Sequence, residues 1–148
     1  MIKKLEYVCV FLTGGIIYNL LELVWRGYSH WSMTIAGGVC FALIHLMNYI
    51  AWDRSVLFRS AVDCALITSV EFIVGIVVNL WLGLDVWDYS DIAGNIAGQI
   101  CPMFTALWFF LAIPACLISE KIQRLFELIA EREENETKLQ KSKETQLK

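Results

Sequence analysis

Four long apolar segments occupy most of the first 119 residues and restrict the fold more than any other feature. They run from about Glu6 to Trp25, Trp31 to Ala51, Leu57 to Leu82 and Ile100 to Ser119. Each reaches the roughly 20 residues that a helix rising 1.5 Å per residue needs to cross a bilayer core about 30 Å thick. Lipid offers no partner to backbone N–H and C=O groups, so each segment is expected to be a membrane-spanning helix.

Basic residues predict how these helices are threaded through the membrane. The connection between the third and fourth segments carries Asp85, Asp88 and Asp91 and no Lys or Arg. Arg26 is the only basic residue on the first connection. Other basic residues lie before the first segment, around the second turn and after the fourth segment: Lys3, Lys4, Arg54, Arg59, Lys121 and Arg124. By the positive-inside rule we expect a multi-pass protein of the cell membrane, with both termini cytoplasmic.

The polar remainder of the chain predicts two further parts. Residues 120–148 are strongly charged, and Ile118, Ile122, Leu125 and Ile129 have the spacing of a short coiled-coil seam. We expect a transmembrane domain of residues 1–119 and a charged cytoplasmic tail of residues 120–148, helical at first and then frayed. A coiled coil is the alternative for the tail.

The segment Gly83–Gly98 is too polar to span a membrane and too apolar for a plain loop. A partly embedded or interfacial segment and an ordinary outer loop with an aromatic anchor are both open. The predicted fold class is all-α: a four-helix transmembrane bundle with a polar interfacial segment before helix 4 and a charged C-terminal helical tail.

Three carboxylates inside the apolar segments are candidates for function. A charged side chain at the membrane centre costs about 2.5–3.5 kcal/mol even on the most lenient scale, so such residues usually face a bundle interior or a wet cavity. Glu22 has Arg26 one turn away, and Asp63 has Arg59, so either carboxylate could simply be paired. Glu71 has no local partner.

Glu71 is therefore the first candidate for an intramembrane polar site. It shares a helix face with Gly75 and Asn79, and His45 on the preceding segment is its nearest titratable candidate partner. With Glu22 and Asp63 these residues could form a discontinuous polar column holding an ion, a proton or a small substrate. A protonated Glu71 without His45 is the alternative.

Two Gly-Gly pairs suggest an internal repeat. Thr13–Glu22 resembles Ala36–His45, with the glycine pair and the following aromatic residue in the same places. An inverted repeat, as transporters use, and a chance likeness of two glycine-containing spans both explain this.

Several function classes find no support in the chain. The five cysteines are isolated, without CxxC pairs or His/Cys ligand spacing, so we expect no disulfide, metal site or cofactor. No Walker motif and no nucleophile–base set is present, so we expect neither ATP hydrolysis by this chain nor another enzymatic activity. No basic cluster is typical of nucleic-acid binding.

Two polar stretches carry a family resemblance. The first runs from Glu22 through Arg26 to Met33, and the second is Trp87-Asp88-Tyr89-Ser90-x4-Asn95-x2-Gly98-Gln99-Ile100-Cys101. The second is similar to a segment of the family of small bacterial integral membrane proteins named putative ABC-transporter type IV. The resemblance covers most of residues 5–118 and implies a permease role. We expect Asp88 and Ser90 to cap a helix start, and Asn95 and Gln99 to share one helix face.

The expected function is that of a membrane subunit, permease-type or channel, of a transport system, with no ATPase activity of its own. An ATPase subunit would come from another chain, and a homo-oligomer is expected because four short helices enclose little space. A holin-like pore former of a prophage is one alternative. A non-catalytic membrane partner or sensor whose tail docks another protein is a second.

Overall fold

Four helices account for most of the chain. The computed structural model describes the backbone of residues 2–146 and the side chains of residues 2–143. The helices are α1 (Ile2–Arg26), α2 (Trp31–Ile50), α3 (Val56–Gly75) and α4 (Pro102–Gln146), and α3 continues as a π-helical turn over Ile76–Trp81. All four are long and apolar enough to cross a membrane. The predicted all-α fold is confirmed, and the described residues form no strand.

Helix α4 carries the fourth span and the tail without a break. The boundary between residues 1–119 and 120–148 therefore lies within one continuous helix and stays a prediction. Met1 and residues 147–148, which belong to those predicted parts, lie outside the described residues.

The helix ends follow from local side-chain chemistry. Gly27 ends α1 with a left-handed φ of 78°, where its N–H donates to the carbonyl of Leu23. The His30 ring accepts from the N–H of Ser32 at the start of α2, and the Ser55 hydroxyl accepts from the N–H of Phe58 at the start of α3. Pro102 begins α4, where its missing N–H needs no partner. These caps fix short connections between antiparallel neighbours.

The two Gly-Gly pairs lie where α1 crosses α2. A Cβ at Gly14 would be 2.5 Å from the carbonyl oxygen of Gly37, and one at Gly37 would be 2.3 Å from the Cβ of Tyr18. Only glycine permits this approach of the two backbones.

The contacts at this crossing repeat with an offset of 23 residues. Gly14 against Phe41 matches Gly37 against Tyr18. In the same way, Gly15 against Thr34 matches Gly38 against Phe11. The two segments therefore resemble each other in their contacts as well as in their sequence. They form a local inverted repeat of two antiparallel helices.

An apolar layer crosses the middle of the bundle. It consists of Val10, Cys40, Phe41, Ile44, Ile67, Ala112 and Cys116, which are buried against one another. Every helix contributes to it, and on every helix polar residues lie on both sides of it along the chain. We call the side with the start of α1 and the α2–α3 turn the terminal end, and the other side the docked end.

Residues 82–101 fold back onto the docked end, and we call them the docked segment. Val86 and Gln99 in this segment are buried. A Cβ at Gly75 of α3 would be 2.5 Å from the Gln99 side chain and 3.0 Å from the Trp87 ring. The segment is therefore packed against protein, which gives its irregular backbone hydrogen-bond partners near the membrane.

Candidate functional site

A cavity of about 550 Å³ opens between α1, α4 and the docked segment. Its size lies within the roughly 300–1,000 Å³ of ligand pockets. Its wall includes the aromatic residues Tyr18, Trp25, Tyr89, Phe104 and Trp108. Glu71 lies at the inner side of this wall.

Glu71 is held by two neutral donors. The Tyr89 hydroxyl donates to Oε1 at 3.0 Å, and the Trp108 indole N–H donates to Oε2 at 2.8 Å. The side chain is 6% exposed, and no basic side chain of the described residues forms an ion pair with it. Neither donor supplies the opposite charge. The site thus holds a carboxylate without a counter-ion from the described part of the chain.

Tyr89 remains a donor under ordinary conditions. Burial raises its pKa, and the neighbouring negative charge of Glu71 raises it further. The ring also stacks on Phe104, with centroids 4.6 Å apart. The docked segment therefore supplies one of the two groups that hold the membrane carboxylate.

The predicted pairing of Glu22 with Arg26 is present. The guanidinium donates to Glu22 Oε1 at 2.5 Å, and a second nitrogen donates to the carbonyl of Val86 at 2.6 Å. The Ser29 hydroxyl donates to the other carboxylate oxygen of Glu22 at 2.5 Å. Arg26 also lies 4.8 Å from the centre of the Tyr28 ring. The charge of Arg26 is thus paired with Glu22 of the same helix. The hydrogen bond from Arg26 to the Val86 carbonyl connects α1 to the docked segment.

Asn79 fixes the docked segment to the π-helical turn. Its amide donates to the carbonyl of Trp87 and to Gln99 Oε1, at 2.9 and 2.7 Å, and its oxygen accepts from the N–H of Val86 at 2.7 Å. Glu71, Gly75 and Asn79 are all buried on one face, as the spacing predicts. Short π-helical turns are often found at functional sites, and this one aims the amide at the segment.

The remaining motif residues build turns within the docked segment. Asp88 Oδ1 accepts from the hydroxyl and the N–H of Ser90, at 2.6 and 2.9 Å, and these bonds lower the pKa of Asp88. This cap closes a turn and not a helix start, because α4 begins only at Pro102. Asn95 donates to the carbonyls of Ser90 and Ile92.

Gln99 does not share a helix face with Asn95, contrary to the expectation from their spacing. The backbone between them includes Ala97 and Gly98 with φ of 53° and 68°, which no α-helix contains. The Trp87 side chain is half-buried, and its indole N–H donates to the carbonyl of Gln99 at 3.0 Å.

His45 belongs to a different group of polar residues, at the terminal end. One ring nitrogen contacts Glu6 Oε1 at 3.1 Å, and the other contacts the Ser119 hydroxyl at 2.8 Å. The predicted contact of His45 with Glu71 is absent. Arg59 meets Asn48 across the antiparallel helices, so α3 near residue 62 is level with His45. Glu71 lies about 14 Å further along α3.

Asp63 and Arg59 do not pair, although they are one turn apart. The Arg59 guanidinium turns to Asn48 at 2.7 Å and to Glu120 at 2.5 Å. Asp63 accepts from the Cys116 thiol at 3.0 Å, and its other oxygen is buried without a hydrogen bond among the described residues. Arg59 thus joins α3 to the start of the tail region of α4.

The polar residues therefore form two groups and not one column. Along α3, Asp63 at the terminal end and Glu71 at the docked end are eight residues apart, or about 12 Å, with Ile67 of the apolar layer between them. Trp108 of the cavity wall packs against this layer.

Sequence reasoning missed the donors to Glu71 from other elements and the partners of His45. Trp108 is one of several aromatic residues in an apolar segment, where an aromatic ring gives no sign of its direction. Glu6 lies near the start of the first span, where a carboxylate is expected to meet water. One weak sequence signal for an inward-facing Trp108 exists: it lies four residues before Ala112 and therefore on the same helix face.

Comparison with known proteins identifies one family. The family described as "Putative ABC-transporter type IV" matches residues 38–136, about two thirds of the chain. The match begins after the first glycine pair and includes the start of the tail, so it is shifted from the stretch 5–118 noted in the sequence. No curated protein and no solved structure matches the chain. With four apolar helices and this match, the chain is a multi-pass membrane protein that belongs to the family described as "Putative ABC-transporter type IV".

Proposed function

We propose that the chain is a permease-type membrane subunit of a transport system, and that its substrate binds in the cavity at Glu71. The observation that carries this proposal is a buried carboxylate, without a counter-ion among the described residues, in the wall of a ligand-sized cavity. A membrane protein keeps such a charge against an insertion cost only where it serves a purpose.

The apolar layer between the two polar groups favours a transport subunit over a simple pore. A pore needs a continuous polar path, whereas the apolar layer separates the two polar groups. A transport subunit binds its substrate from one side and opens to the other side only when it is driven. The driving energy would come from an ATPase subunit on another chain, for which the tail at the cytoplasmic side is the natural contact.

A homo-oligomer and a cell-membrane location with both termini cytoplasmic belong to the same proposal. The basic residues at the terminal end support this orientation. A groove of about 410 Å³ between α2 and α3, lined by apolar residues such as Ile35, Val39 and Ile73, is the face where a second copy would pack.

The test is a comparison of intracellular solutes in a strain that encodes this chain on its chromosome. Glu71→Gln removes the charge and keeps the shape. Glu6→Gln is the matched control, because Glu6 is also a buried glutamate of a spanning helix but lies at the terminal end. We expect the level of at least one solute class to change in Glu71→Gln and not in Glu6→Gln. Identical solute profiles would contradict the transport role.

A second arm separates transport from pore formation. Membrane potential is followed while the wild-type chain is overproduced in bacterial cells. A transport subunit leaves the potential unchanged, and abrupt depolarisation with cell death would favour the holin-like alternative. Removal of residues 120–148 tests the alternative of a membrane partner or sensor whose tail docks another protein. If the truncated chain and Glu71→Gln both insert into the membrane and both lose function, the result supports a tail that docks a partner of the same transport system.

A further inference from the structure

The charges around the cavity are unequal in sign. Among the described residues that line it, the acidic ones are Glu22, Glu71, Asp85 and Asp88, and the basic one is Arg26. Arg26 is already paired with Glu22 and held by the Val86 carbonyl. Glu71 remains as the buried acidic group without a basic partner among the described residues, and the two aspartates are exposed. This balance repels an anion and attracts a cation.

The aromatic rings that line the cavity beside Glu71 contact one another in pairs. Trp25 meets Phe104 edge to face with centroids 6.1 Å apart, and Phe104 stacks on Tyr89 at 4.6 Å. On the other side Tyr18 stacks on Trp108 at 5.7 Å. Aromatic faces attract cations through the ring quadrupole and at the same time offer apolar surface.

The excess of acidic groups and the aromatic rings together favour one kind of ligand. A small inorganic cation gains little from an apolar wall and prefers a cage of several oxygen ligands. The described residues include no cluster of three or more His, Cys, Asp or Glu that could hold a metal ion. An organic cation with apolar or aromatic groups uses the carboxylate and the rings at once.

Resting on the proposed function, we infer that the ligand of this cavity is an amphipathic organic cation, with its charge at Glu71 and its apolar groups against Trp25 and Phe104. The lining residues Val24 and Trp25 are exposed on the spanning helix α1, so such a molecule would reach the cavity from the bilayer, where amphipathic cations collect.

The experiment measures the binding of tetraphenylphosphonium to the full chain in lipid nanodiscs, with empty nanodiscs as the partition control. Tetraphenylborate, which has the same shape and the opposite charge, is measured in parallel. We expect saturable binding of the cation and none of the anion. Glu71→Gln should lower the affinity for the cation by about tenfold or more, since a desolvated charge contact is lost.

Two variants guard against a loss of fold. Trp25 is 71% exposed, so Trp25→Ala should leave the fold intact and lower the affinity about two- to fivefold through the lost ring contact. Glu6→Gln should leave the affinity unchanged. This pattern supports the inference.

An unchanged affinity of Glu71→Gln for the cation would overturn the inference. Equal binding of the anion would also overturn it, because it would show that Arg26 or the apolar wall dominates binding. Absence of cation binding in the wild type also overturns it. The proposed function has a separate readout: if the solute profile in cells still depends on Glu71, the ligand class is wrong and the transport role stands.

Discussion

A few buried side chains join the docked segment to the bundle, and their chemistry explains why the cavity has a wall on that side. Glu71 accepts from Tyr89 of the segment and from Trp108 of α4. Asn79 holds the segment through three hydrogen bonds, and Arg26 adds one from α1. Buried polar groups are costly when they lose their partners, so each of these residues is a sensitive position.

Replacement of Asn79 by alanine should release the docked segment. The change leaves the Val86 N–H, the Trp87 carbonyl and the Gln99 amide without their partner. We expect a loss of about 2–4 kcal/mol in the stability of the docked state, from three lost hydrogen bonds. Faster hydrogen exchange of residues 82–101 is the readout. Asn135→Ala on the exposed tail is the control, and equal exchange in the two variants would show that Asn79 does not hold the segment.

The ionisation of Tyr89 makes the stability of the docked state depend on pH. Its pKa is raised by burial, so above about pH 10, where a free tyrosine ionises, the unfolded chain binds fewer protons than the folded one. This contribution to stability is complete below pH 10 and is lost as the pH rises above it. We expect the melting temperature to fall between pH 9.5 and about 11, with a smaller fall in Tyr89→Phe. Tyr28→Phe, at an exposed ring, should behave as wild type, and an equal fall in all three proteins would refute the assignment.

At the scale of helices, the sequence predicts the elements well and their contacts in part. The apolar lengths place all four spans, since a bilayer permits little else. The Glu22–Arg26 pair follows from spacing alone because both residues lie on one helix. The partners of His45 and Asp63 could not be predicted, because they depend on the axial offset of neighbouring helices. The docked segment could not be predicted either, because its turns need positive φ at Asp85 and Ala97.

The crossing of α1 and α2 depends on its glycines. Gly37→Ala places a methyl group 2.3 Å from the Tyr18 Cβ, so the helices must separate. We expect destabilisation of about 1–3 kcal/mol from this overpacking, measured by reversible unfolding in mixed detergent. Val39→Ala, at a partly exposed position of the same helix, is the control. A stability of Gly37→Ala equal to that of the control would mean that the close crossing is absent in the membrane.

At the scale of the whole molecule, the bundle has two polar ends and an apolar layer between them. The docked end contains the cavity and Glu71, and the terminal end contains the network of His45, Asn48 and Arg59 that joins α2 and α3 to the tail region of α4. Under the proposed function, the ligand enters at the docked end and the apolar layer keeps the terminal end closed.

The most direct test of this account compares two adjacent residues of α4. Leu111 lines the cavity, and Ala112 lies in the apolar layer with no exposed surface. A cysteine placed at each position of the wild-type chain is exposed to a charged, membrane-impermeant thiol reagent in sealed vesicles of both orientations. Labelling of the wild-type chain itself, in which Cys9 is partly buried and the cysteines at positions 40, 64, 101 and 116 are buried, gives the background. The account predicts labelling of Leu111→Cys from the docked end only and no labelling of Ala112→Cys from either side. Labelling of Ala112→Cys, or of Leu111→Cys from the terminal end, would contradict it.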